Sequence, residues 1–323
     1  MKYLITGGAG FIGGYLSASL LEAGHQVTIL DDLSTGRYEN VKPLASKPGC
    51  AIVIDSILNE MVLDRLASEC DAIFHLAAAV GVKLIVDDPF HTIRTNVIGT
   101  DCVLKAACRY RRKVVIASTS EIYGKNTKVP FAESDDTTCG PTYKQRWAYA
   151  TSKAMDEFAA FACARSHGLP VVIVRLFNTI GPRQTGRYGM VAPTFMRQAM
   201  RGEPITVYGD GKQSRCFTNV NDVVGAMVKL SSCPAAENEV VNIGSDELVD
   251  IDRLAELCKE IAGSQSPIVH VPYDEAYQKG FEDMMIRMPN LEKVRRLVGY
   301  EPKIKLVETL RQIHAHMLNH PDD

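Results

Sequence analysis

The chain has 323 residues, and its 36 basic and 38 acidic side chains give a formal net charge of −2. Hydrophobic residues make up 46% of the sequence, which is enough for a large buried core and argues against disorder. The near-neutral balance also argues against nucleic acid or an anionic membrane surface as a partner.

Nine cysteines are scattered along the chain, without a C-x-x-C pair and without a Cys/His cluster of zinc-ligand spacing. This usage is typical of reduced thiols in a cytosolic protein and predicts no metal site. The sequence has no run of about 18 apolar residues, and glycines interrupt the apolar segment after Met1. We therefore expect a cytoplasmic protein with no signal peptide and no membrane span.

The first half of the chain alternates short apolar runs with amphipathic stretches. Expected strands occupy residues 2–6, 26–30, 51–54, 72–76, 113–117 and 171–175. Expected helices occupy residues 13–23, 92–110 and 149–166. Because the strands are apolar throughout and alternate with helices, they predict an α/β fold with a doubly wound parallel sheet covered on both faces.

The rhythm changes after residue 176, where glycines and prolines divide the sequence into short segments. Expected helices return at residues 193–201, 220–231, 251–262 and 290–298. We predict a sheet domain over residues 1–176 and a smaller, loop-rich α/β substrate domain over residues 177–323, with the chain crossing between them.

A glycine-rich segment, TGGAGFIG, links the first expected strand to the first helix. Gly7 permits a tight turn, Gly10 lets the backbone approach a pyrophosphate, and Gly13 lets helix and strand pack closely. The free N–H groups at the helix N-terminus favour an anionic ligand. The segment predicts a Rossmann-type dinucleotide site, with Phe11 and Ile12 also in contact with the cofactor.

The second strand runs into Asp31 and Asp32. A carboxylate at this point can accept hydrogen bonds from ribose hydroxyls and repels a 2′-phosphate, so the pair predicts NAD. Arg37, close by, is the residue that would suit NADP instead. Further expected cofactor contacts are Asp55, Ser56, Leu76, Ala77, Ala78 and Asn96. His75 either flanks the cofactor or is a buried histidine at a strand end.

The segment YATSK places Tyr149 and Lys153 four residues apart, on one face of an expected helix. An ammonium beside a phenol favours the phenolate, so Lys153 is expected to lower the pKa of Tyr149 toward the working pH of a general base. These two residues are the predicted centre of catalysis.

Hydroxyl and carboxyl side chains follow the fifth expected strand in the segment STSEIYG. Thr119 is placed to hydrogen-bond the substrate oxygen that Tyr149 deprotonates. Glu121 is expected in a partly closed pocket, where burial would raise its pKa.

The motifs TGGAGFIG, STSEIYG and YATSK resemble the nucleotide-sugar branch of the extended short-chain dehydrogenases/reductases. That branch contains UDP-sugar 4-epimerases, 4,6-dehydratases and UDP-glucuronate decarboxylases. The similarity continues through RLFN, GPR, YGDG and RCFT in the second half of the chain. It implies an NAD-dependent enzyme that modifies a UDP-sugar, with Tyr149 and Lys153 also touching the cofactor. The substrate contacts that it implies are Ser120, Arg146, Asn178, Arg183, Tyr208, Arg215 and Arg287.

Three features of the resemblance bear on the reaction. The triplet TSE lacks the aspartate that 4,6-dehydratases often carry, and simple 4-epimerases usually lack its Glu121. The segment KQRWAY, with Arg146, is similar to one in bacterial and plant UDP-glucuronate-decarboxylating groups, where an arginine suits a substrate anion. Residues 280–289 are similar to a segment with an active-site arginine in those decarboxylases, for which Arg287 is the candidate. Many epimerases and dehydratases of the branch also place an arginine here, where it holds the diphosphate. Phe281 departs from the tyrosine of the bacterial enzymes.

The resemblance therefore implies a UDP-glucuronate decarboxylase acting through a 4-keto intermediate. Tyr149 would act as the base, while Glu121 and Arg287 would orient the carboxylate and manage reprotonation. The alternative is a UDP-hexose 4-epimerase that uses Thr119, Tyr149 and Lys153. A 4,6-dehydratase and a non-catalytic dinucleotide-sensing module are further alternatives, although a sensor needs no tuned phenol.

The resemblance also implies a homodimer. Its interface would be a four-helix arrangement of the expected helices 92–110 and 149–166 from each subunit. The apolar positions that suggest it are Val97, Val103, Leu104, Phe158 and Phe161.

Overall fold

The computed structural model describes residues 1–81, 88–186, 189–276 and 282–320. Its strands, in chain order, are β1 (Lys2–Thr6), β2 (Gln26–Asp31), β3 (Cys50–Ile54), β4 (Ala72–His75), β5 (Lys113–Thr119), β6 (Val171–Leu176), β7 (Thr179–Ile180), β8 (Ile205–Tyr208), β9 (Ser214–Cys216), β10 (Thr218–Asn219), β11 (Glu239–Ile243), β12 (Leu248–Asp250), β13 (Ile268–Val271) and β14 (Ile286–Arg287).

Helices alternate with these strands. The α-helices are α1 (Phe11–Glu22), α2 (Glu60–Glu69), α3 (Pro89–Ile93), α4 (Gly99–Tyr110), α5 (Ala148–His167), α6 (Val191–Arg201), α7 (Val220–Ser231), α8 (Ile251–Ala262), α9 (Tyr273–Ala276), α10 (Glu292–Val298) and α11 (Leu306–Asn319). A π-helical turn, Arg94–Ile98, joins α3 to α4.

Seven strands form one parallel sheet in the order β11-β6-β5-β4-β1-β2-β3. The strand order reverses between β1 and β4, whose carboxyl ends lie side by side with Thr6 opposite His75. In open α/β sheets, ligands bind beyond the carboxyl ends of the strands at such a reversal. This topology confirms the predicted doubly wound Rossmann-type fold.

Alternate residues of each strand face opposite layers of helices. On one face, Ile5 and Ile29 pack with Leu16 of α1 and Met227 of α7. On the other face, the neighbouring strand residues pack against α2, α4 and α5. Residues of this second layer include Leu4, Ile73, Leu66, Val103 and Ala160. Burial on both faces explains why the strand sequences are apolar throughout.

The structure adds elements that the sequence did not predict. The seventh strand, β11, pairs with β6 although it lies beyond residue 176, and α7 returns with it to cover the sheet. Helices α2 and α11 were also missed, and the expected helix 92–110 is divided by the π-helical turn. Most of the remaining second half surrounds a separate apolar core beside the sheet, containing Phe195, Leu254 and Leu310.

Candidate active site

A cleft of about 1000 Å³ opens beyond the carboxyl ends of the sheet strands, between the sheet and the second half of the chain. All seven residues predicted to bind substrate line it, together with Thr119, Glu121 and Tyr149. The predicted cofactor residues that line it are Gly7, Gly10, Phe11, Ile12, Gly13, Asp31, Asp32, Asp55, Leu76, Ala77 and Ala78. Ser56, Asn96 and Lys153 are not among the lining residues.

The glycine-rich turn is closed too tightly for side chains. A Cβ on Gly7 would lie 2.6 Å from the backbone nitrogen of Ala77, and a Cβ on Gly13 would lie 2.2 Å from the carbonyl oxygen of Gly7. Gly7 also has a φ of 72°, which favours glycine. Helix α1 starts after Gly10 without a side-chain cap, so its first N–H groups suit a diphosphate. The residues present therefore fit a dinucleotide.

The carboxylate of Asp31 closes the same turn. It accepts hydrogen bonds from the N–H groups of Ala9 and Leu33, each at 2.9 Å. Burial raises the pKa of Asp31, and these backbone hydrogen bonds lower it in part. Asp32 beside it accepts hydrogen bonds from the N–H and hydroxyl of Ser34. Asp31 thus lies where a ribose would bind and also holds the turn in shape.

Three residues near the cofactor side have internal partners. Asn96 is fully buried, where its amide accepts from Ala79 N–H at 2.9 Å and donates to the hydroxyl of Ser152 at 3.1 Å. Ser56 accepts a hydrogen bond from the N–H of Leu58 at 3.3 Å. His75 is a buried strand-end histidine, and burial followed by the charge of Lys153 lowers its pKa to about 3. In this structure, Asn96 braces the backbone behind the cleft.

Tyr149, at the start of α5, is buried and lies beside Thr119 at the end of β5. Burial raises the pKa of its phenol, and the negative charge of Glu121 raises it further. A hydrogen bond with Thr119 and the charge of Arg287 act in the opposite direction. Thr119 and Tyr149 thus lie side by side, and the prediction of a lowered Tyr149 pKa is wrong for the protein by itself.

Lys153 lies one turn further along α5. Its ammonium donates to the carboxylate of Asp156 at 2.7 Å, and both side chains are almost completely buried. The expectation that Lys153 directly balances the Tyr149 phenol overlooked this carboxylate. Lys153 and Asp156 are three residues apart in one helix, so their side chains share a face. This spacing was the sequence signal that could have predicted the ion pair.

Glu121 lies between two arginines. Its carboxylate accepts hydrogen bonds from Arg146 and, at 2.9 Å, from Arg287. Burial by itself would raise the pKa of Glu121, but the charges of Arg146 and Arg287 outweigh it and lower the pKa to about 2. The prediction of a raised pKa is therefore wrong, and Glu121 is an anion at neutral pH.

Asp283 extends this ionic cluster and was not predicted. Its carboxylate accepts from Arg146 at 3.5 Å and from Arg215 at 2.9 Å. Burial and the charge of Arg287 lower the pKa of Arg215 to about 10. The ion pairs form a chain in which arginines and carboxylates alternate, from Arg287 at one end to Arg215 at the other. Three arginines and two carboxylates leave the cluster with one excess positive charge.

Some polar atoms of cleft-lining residues have no hydrogen-bond partner in the part of the chain that the structure describes. Among them are Nε of Arg287, Oδ1 of Asn178 and Oε1 of Gln184, all buried. A buried polar atom without a partner is costly, so each suits a polar ligand group. Phe281, which was compared with a tyrosine, lies outside the described residues.

Arg183 lies on the cofactor side of the cleft. Its guanidinium stacks 3.9 Å from the ring centre of Tyr15 on α1 and donates to the carbonyl of Asn40 at 3.4 Å. Tyr15 in turn donates to the carbonyl of Pro182 at 3.2 Å. These contacts join the second half of the chain to the first helix.

Glu282 connects the segment that carries Asp283 and Arg287 to residues that precede α5 in the chain. Its carboxylate accepts hydrogen bonds from Trp147 at 2.9 Å and from Lys144, and it pairs with Lys125 at 2.7 Å. The segment is thereby tied to the loop that precedes α5. This contact fixes Arg287 relative to Tyr149.

The cleft combines a glycine-rich dinucleotide turn, Tyr149 and Lys153 on one helix, and the ionic cluster of Glu121, Asp283 and three arginines. Together these features define an NAD-dependent enzyme that acts on a nucleotide-sugar. We call the part of the cleft lined by the ionic cluster the sugar side. The NAD dependent epimerase/dehydratase family matches residues 3–244, and the chain belongs to this family. NAD is accordingly its cofactor.

Individual relatives match over nearly the whole chain. The UDP-N-acetyl-α-D-glucosaminuronate decarboxylase of Bacillus cytotoxicus is 41% identical over 96% of both chains. The UDP-glucuronic acid decarboxylase 1 of Xenopus tropicalis is 34% identical over 96% of this chain and 70% of its own length. The UDP-glucose 4-epimerase of Thermotoga maritima, solved with UDP-glucose, superimposes with a TM-score of 0.89 at 32% identity over 100% of both chains.

Two further observations concern other kinds of site. No helix within the four described ranges is both long and apolar enough to cross a membrane. Within the same ranges, no three His, Cys, Asp or Glu residues are grouped so as to hold a metal ion.

Proposed function

We propose that the protein is a UDP-hexuronate decarboxylase that acts through a 4-keto sugar, with UDP-glucuronate as the first substrate to test. The observation that carries this proposal is the position of Arg287. One of its N–H groups donates to Glu121, and its Nε points to no partner among the described residues. It lies close enough to Tyr149 for its charge to affect the phenol. Arg287 therefore suits a carboxylate on the sugar that Tyr149 oxidises.

The reaction begins at the sugar 4-hydroxyl. Tyr149 takes the hydroxyl proton, and Thr119 hydrogen-bonds the same oxygen. The glycine-rich turn and Asp31 would hold NAD, which would supply an acceptor for the hydride of that carbon and a donor for its return. The resulting ketone is β to the carboxylate, so the bond between C5 and the carboxyl carbon breaks and its electron pair forms the enolate. Tyr149 and Thr119 stabilise the enolate oxygen by hydrogen bonds.

The enolate must then take one proton at C5, because carbon dioxide leaves without one. Glu121 cannot supply it at neutral pH, since Arg146 and Arg287 lower its pKa to about 2. We therefore assign Glu121 the role of holding Arg287 in place, and we assign the proton to water. This corrects the expectation that Glu121 manages reprotonation.

The two decarboxylating relatives support this proposal and leave the substituent at C2 open, because one acts on an N-acetylated sugar and the other on glucuronic acid. The test is to incubate purified protein and NAD with UDP-glucuronate, its 2-acetamido counterpart and UDP-glucose. The products are analysed by liquid chromatography, which separates epimers of equal mass, coupled to mass spectrometry. We expect carbon dioxide from at least one uronate and no change in UDP-glucose. Failure to release it from either uronate would refute the proposal.

A UDP-hexose 4-epimerase is the second candidate, and the likeness to the Thermotoga maritima epimerase favours it. This reaction needs Thr119, Tyr149 and Lys153 but has no carboxylate for Arg287 to bind. In the same assay it would interconvert UDP-glucose and UDP-galactose. That result, with no carbon dioxide from the uronates, would replace the first proposal.

We also propose a homodimer. The expected positions Val103 and Leu104 are buried against the sheet, so they cannot form an interface. Other apolar side chains are exposed on α3, on the π-helical turn and on α5, which contact one another. Phe90 on α3 is 77% exposed and Phe158 on α5 is 70% exposed, and Ile93, Ile98 and Met155 are exposed as well. Exposed apolar side chains on neighbouring elements support a protein interface here.

The oligomer is tested by sedimentation velocity on Phe158→Asp. We expect the unaltered protein to be a dimer at micromolar concentration and this variant to be a monomer. Leu318→Asp is the control, because Leu318 is 61% exposed on α11, which packs in the separate core of the second half. An unaltered protein that sediments as a monomer contradicts the proposal.

Two earlier predictions stay proposals. The first is the division into an NAD-binding domain over residues 1–176 and a nucleotide-sugar domain over residues 177–323, with α7 and β11 returning to the first. The second is a cytoplasmic location, which the nine free cysteines favour.

A further inference from the structure

Asp156 is a buried carboxylate for which the proposed mechanism has no use. Only 1% of its side chain is exposed, and it lies one helical turn beyond Lys153, with 2.7 Å between its carboxylate and the lysine ammonium. Burying a carboxylate costs several kcal/mol unless it is paired, so a polar residue at this position needs a partner. Lys153 is that partner.

A neutral histidine, His75, also lies next to this pair. The ring of His75 lies between two threonine hydroxyls, with Nδ1 at 2.7 Å from Thr6 and Nε2 at 2.8 Å from Thr100. Thr100 also hydrogen-bonds Asp156. Burial and the charge of Lys153 lower the pKa of His75 to about 3, so the ring is neutral at ordinary pH. Lys153 is thus the cation that faces Asp156.

The next residue along α5 has a different role. Glu157 is also buried, but its carboxylate binds Arg175 through two hydrogen bonds of 2.8 and 3.0 Å and accepts a third from Ser118. Two adjacent acidic residues therefore serve two different cations. Glu157 stabilises the fold beneath β5 and β6, whereas Asp156 faces the catalytic lysine.

We infer that Asp156 is the counter-ion that keeps Lys153 protonated inside the closed site, and hence a positioning residue for the reaction. A lysine in an apolar interior loses its proton readily unless an anion compensates for the loss of water. The catalytic role of Lys153 requires its positive charge. Asp156 supplies the compensation from one helical turn beyond the lysine.

The inference rests on Tyr149 and Lys153 as the reacting pair, and it holds for a decarboxylase and an epimerase alike. The charges of Glu121, Asp156 and Arg287 act on the phenol of Tyr149, and the charge of Glu157 acts on Asp156. Replacing Asp156 removes the negative charge next to Lys153. It leaves the pair of Glu121 and Arg287 intact.

The test uses the full chain with NAD and lysines labelled with ¹³C next to the ammonium nitrogen. The Lys153 resonance is identified by its loss in Lys153→Met, and its titration is followed by NMR. In Asp156→Asn we expect its titration midpoint to fall by about two pH units or more. Glu157→Gln, which also removes one buried charge from α5, is the matched control and should leave the midpoint within a few tenths of a unit. Asp156→Glu should restore it.

An unmoved midpoint in folded Asp156→Asn would overturn the inference, as would an equal shift in Glu157→Gln. If Asp156→Asn does not fold, thermal denaturation of the double variant Asp156→Asn/Lys153→Met replaces the titration. Because that variant removes both charges, we expect it to fold and to show a cooperative melting transition that the single variant lacks. A double variant that also fails to fold would equally overturn the inference. This readout needs no substrate, so it is independent of the proposed function.

Discussion

The two sides of the cleft are built in different ways. The cofactor side is made of backbone: a turn of three glycines, an uncapped helix start, and Asp31 tied to two N–H groups. The sugar side is made of charged side chains from four separate segments, joined by ion pairs between Glu121, Asp283 and three arginines. Steric fit determines the first side, and electrostatic balance determines the second.

This difference predicts how each side responds to substitution. On the cofactor side, a methyl group added to a glycine of the turn would collide with backbone atoms. Such a substitution should lower the affinity for NAD. On the sugar side, buried arginines and carboxylates balance one another except for one excess positive charge. A substitution there should alter the reaction and the pH dependence more than the binding of the cofactor.

The largest effect is expected at Tyr149, where the two sides meet. Tyr149→Phe removes one hydroxyl and little packing, and loss of a general base costs about 10²–10⁴ in rate. We expect turnover to fall by that factor and NAD affinity, measured by calorimetry, to stay the same. Tyr143→Phe is the control, because Tyr143 is 80% exposed. Near-normal turnover in Tyr149→Phe would remove the phenol from the mechanism.

The next effect tests the sugar side alone. Arg287→Ala leaves Glu121 with Arg146 but deprives a substrate carboxylate of its partner. We expect carbon dioxide release at saturating UDP-glucuronate to fall by about 10²-fold, since loss of a buried ionic partner costs several kcal/mol. Arg295→Ala, at a partly exposed arginine paired with Asp246 and Glu301, should leave it unchanged.

The two kinetic constants separate the roles of Arg287. A change confined to KM would show that Arg287 only anchors the nucleotide diphosphate. That outcome would contradict its assignment to the sugar carboxylate.

A smaller effect tests the cofactor side. In Gly13→Ala the new Cβ would lie 2.2 Å from the carbonyl oxygen of Gly7, so the turn must open. We expect NAD affinity to fall about tenfold and stability to fall by about 1–3 kcal/mol. Gly225→Ala is the matched control, because no atom lies within 4 Å of its added Cβ in α7. Unchanged NAD affinity in Gly13→Ala would mean that the turn is less rigid than its packing indicates.

The smallest effect concerns the tie between the sugar-side segment and the loop before α5. Hydrogen bonds from Lys125 and then Lys144 lower the pKa of Glu282 to about 2. The depressed pKa means that Glu282 stabilises the fold above its unfolded pKa, near 4.3, and that this stabilisation is lost as the pH falls toward 2. Because solvent screens the pair, we expect Glu282→Gln to cost only about 1 kcal/mol at pH 7.

Chemical denaturation from pH 7 down to acid measures this difference. The gap between the unaltered protein and Glu282→Gln should close as the pH drops below about 4.3. A gap that keeps its size at the lowest pH would assign the loss to packing of Glu282 against Trp147.

The sequence by itself determined the cofactor side and much of the sheet. The glycine spacing, the carboxylates at the end of β2 and the YATSK segment are local patterns, and each acts within one turn or one helix. Six of the seven sheet strands were predicted for the same reason, since a buried parallel strand is apolar along its whole length. The seventh, β11, was missed because its place in the sheet depends on the chain returning to β6.

The protonation states of the side chains on the sugar side depend on the tertiary structure and could not be predicted from the sequence. Burial of Glu121 was expected to raise its pKa, yet residues 25 and 166 positions away in the chain reverse the direction. Asp283 likewise acquires its role only when Arg146 and Arg215 meet beside it. The physical reason is that a pKa depends on all charges within a few ångströms, whereas a sequence pattern reports only the neighbours along the chain.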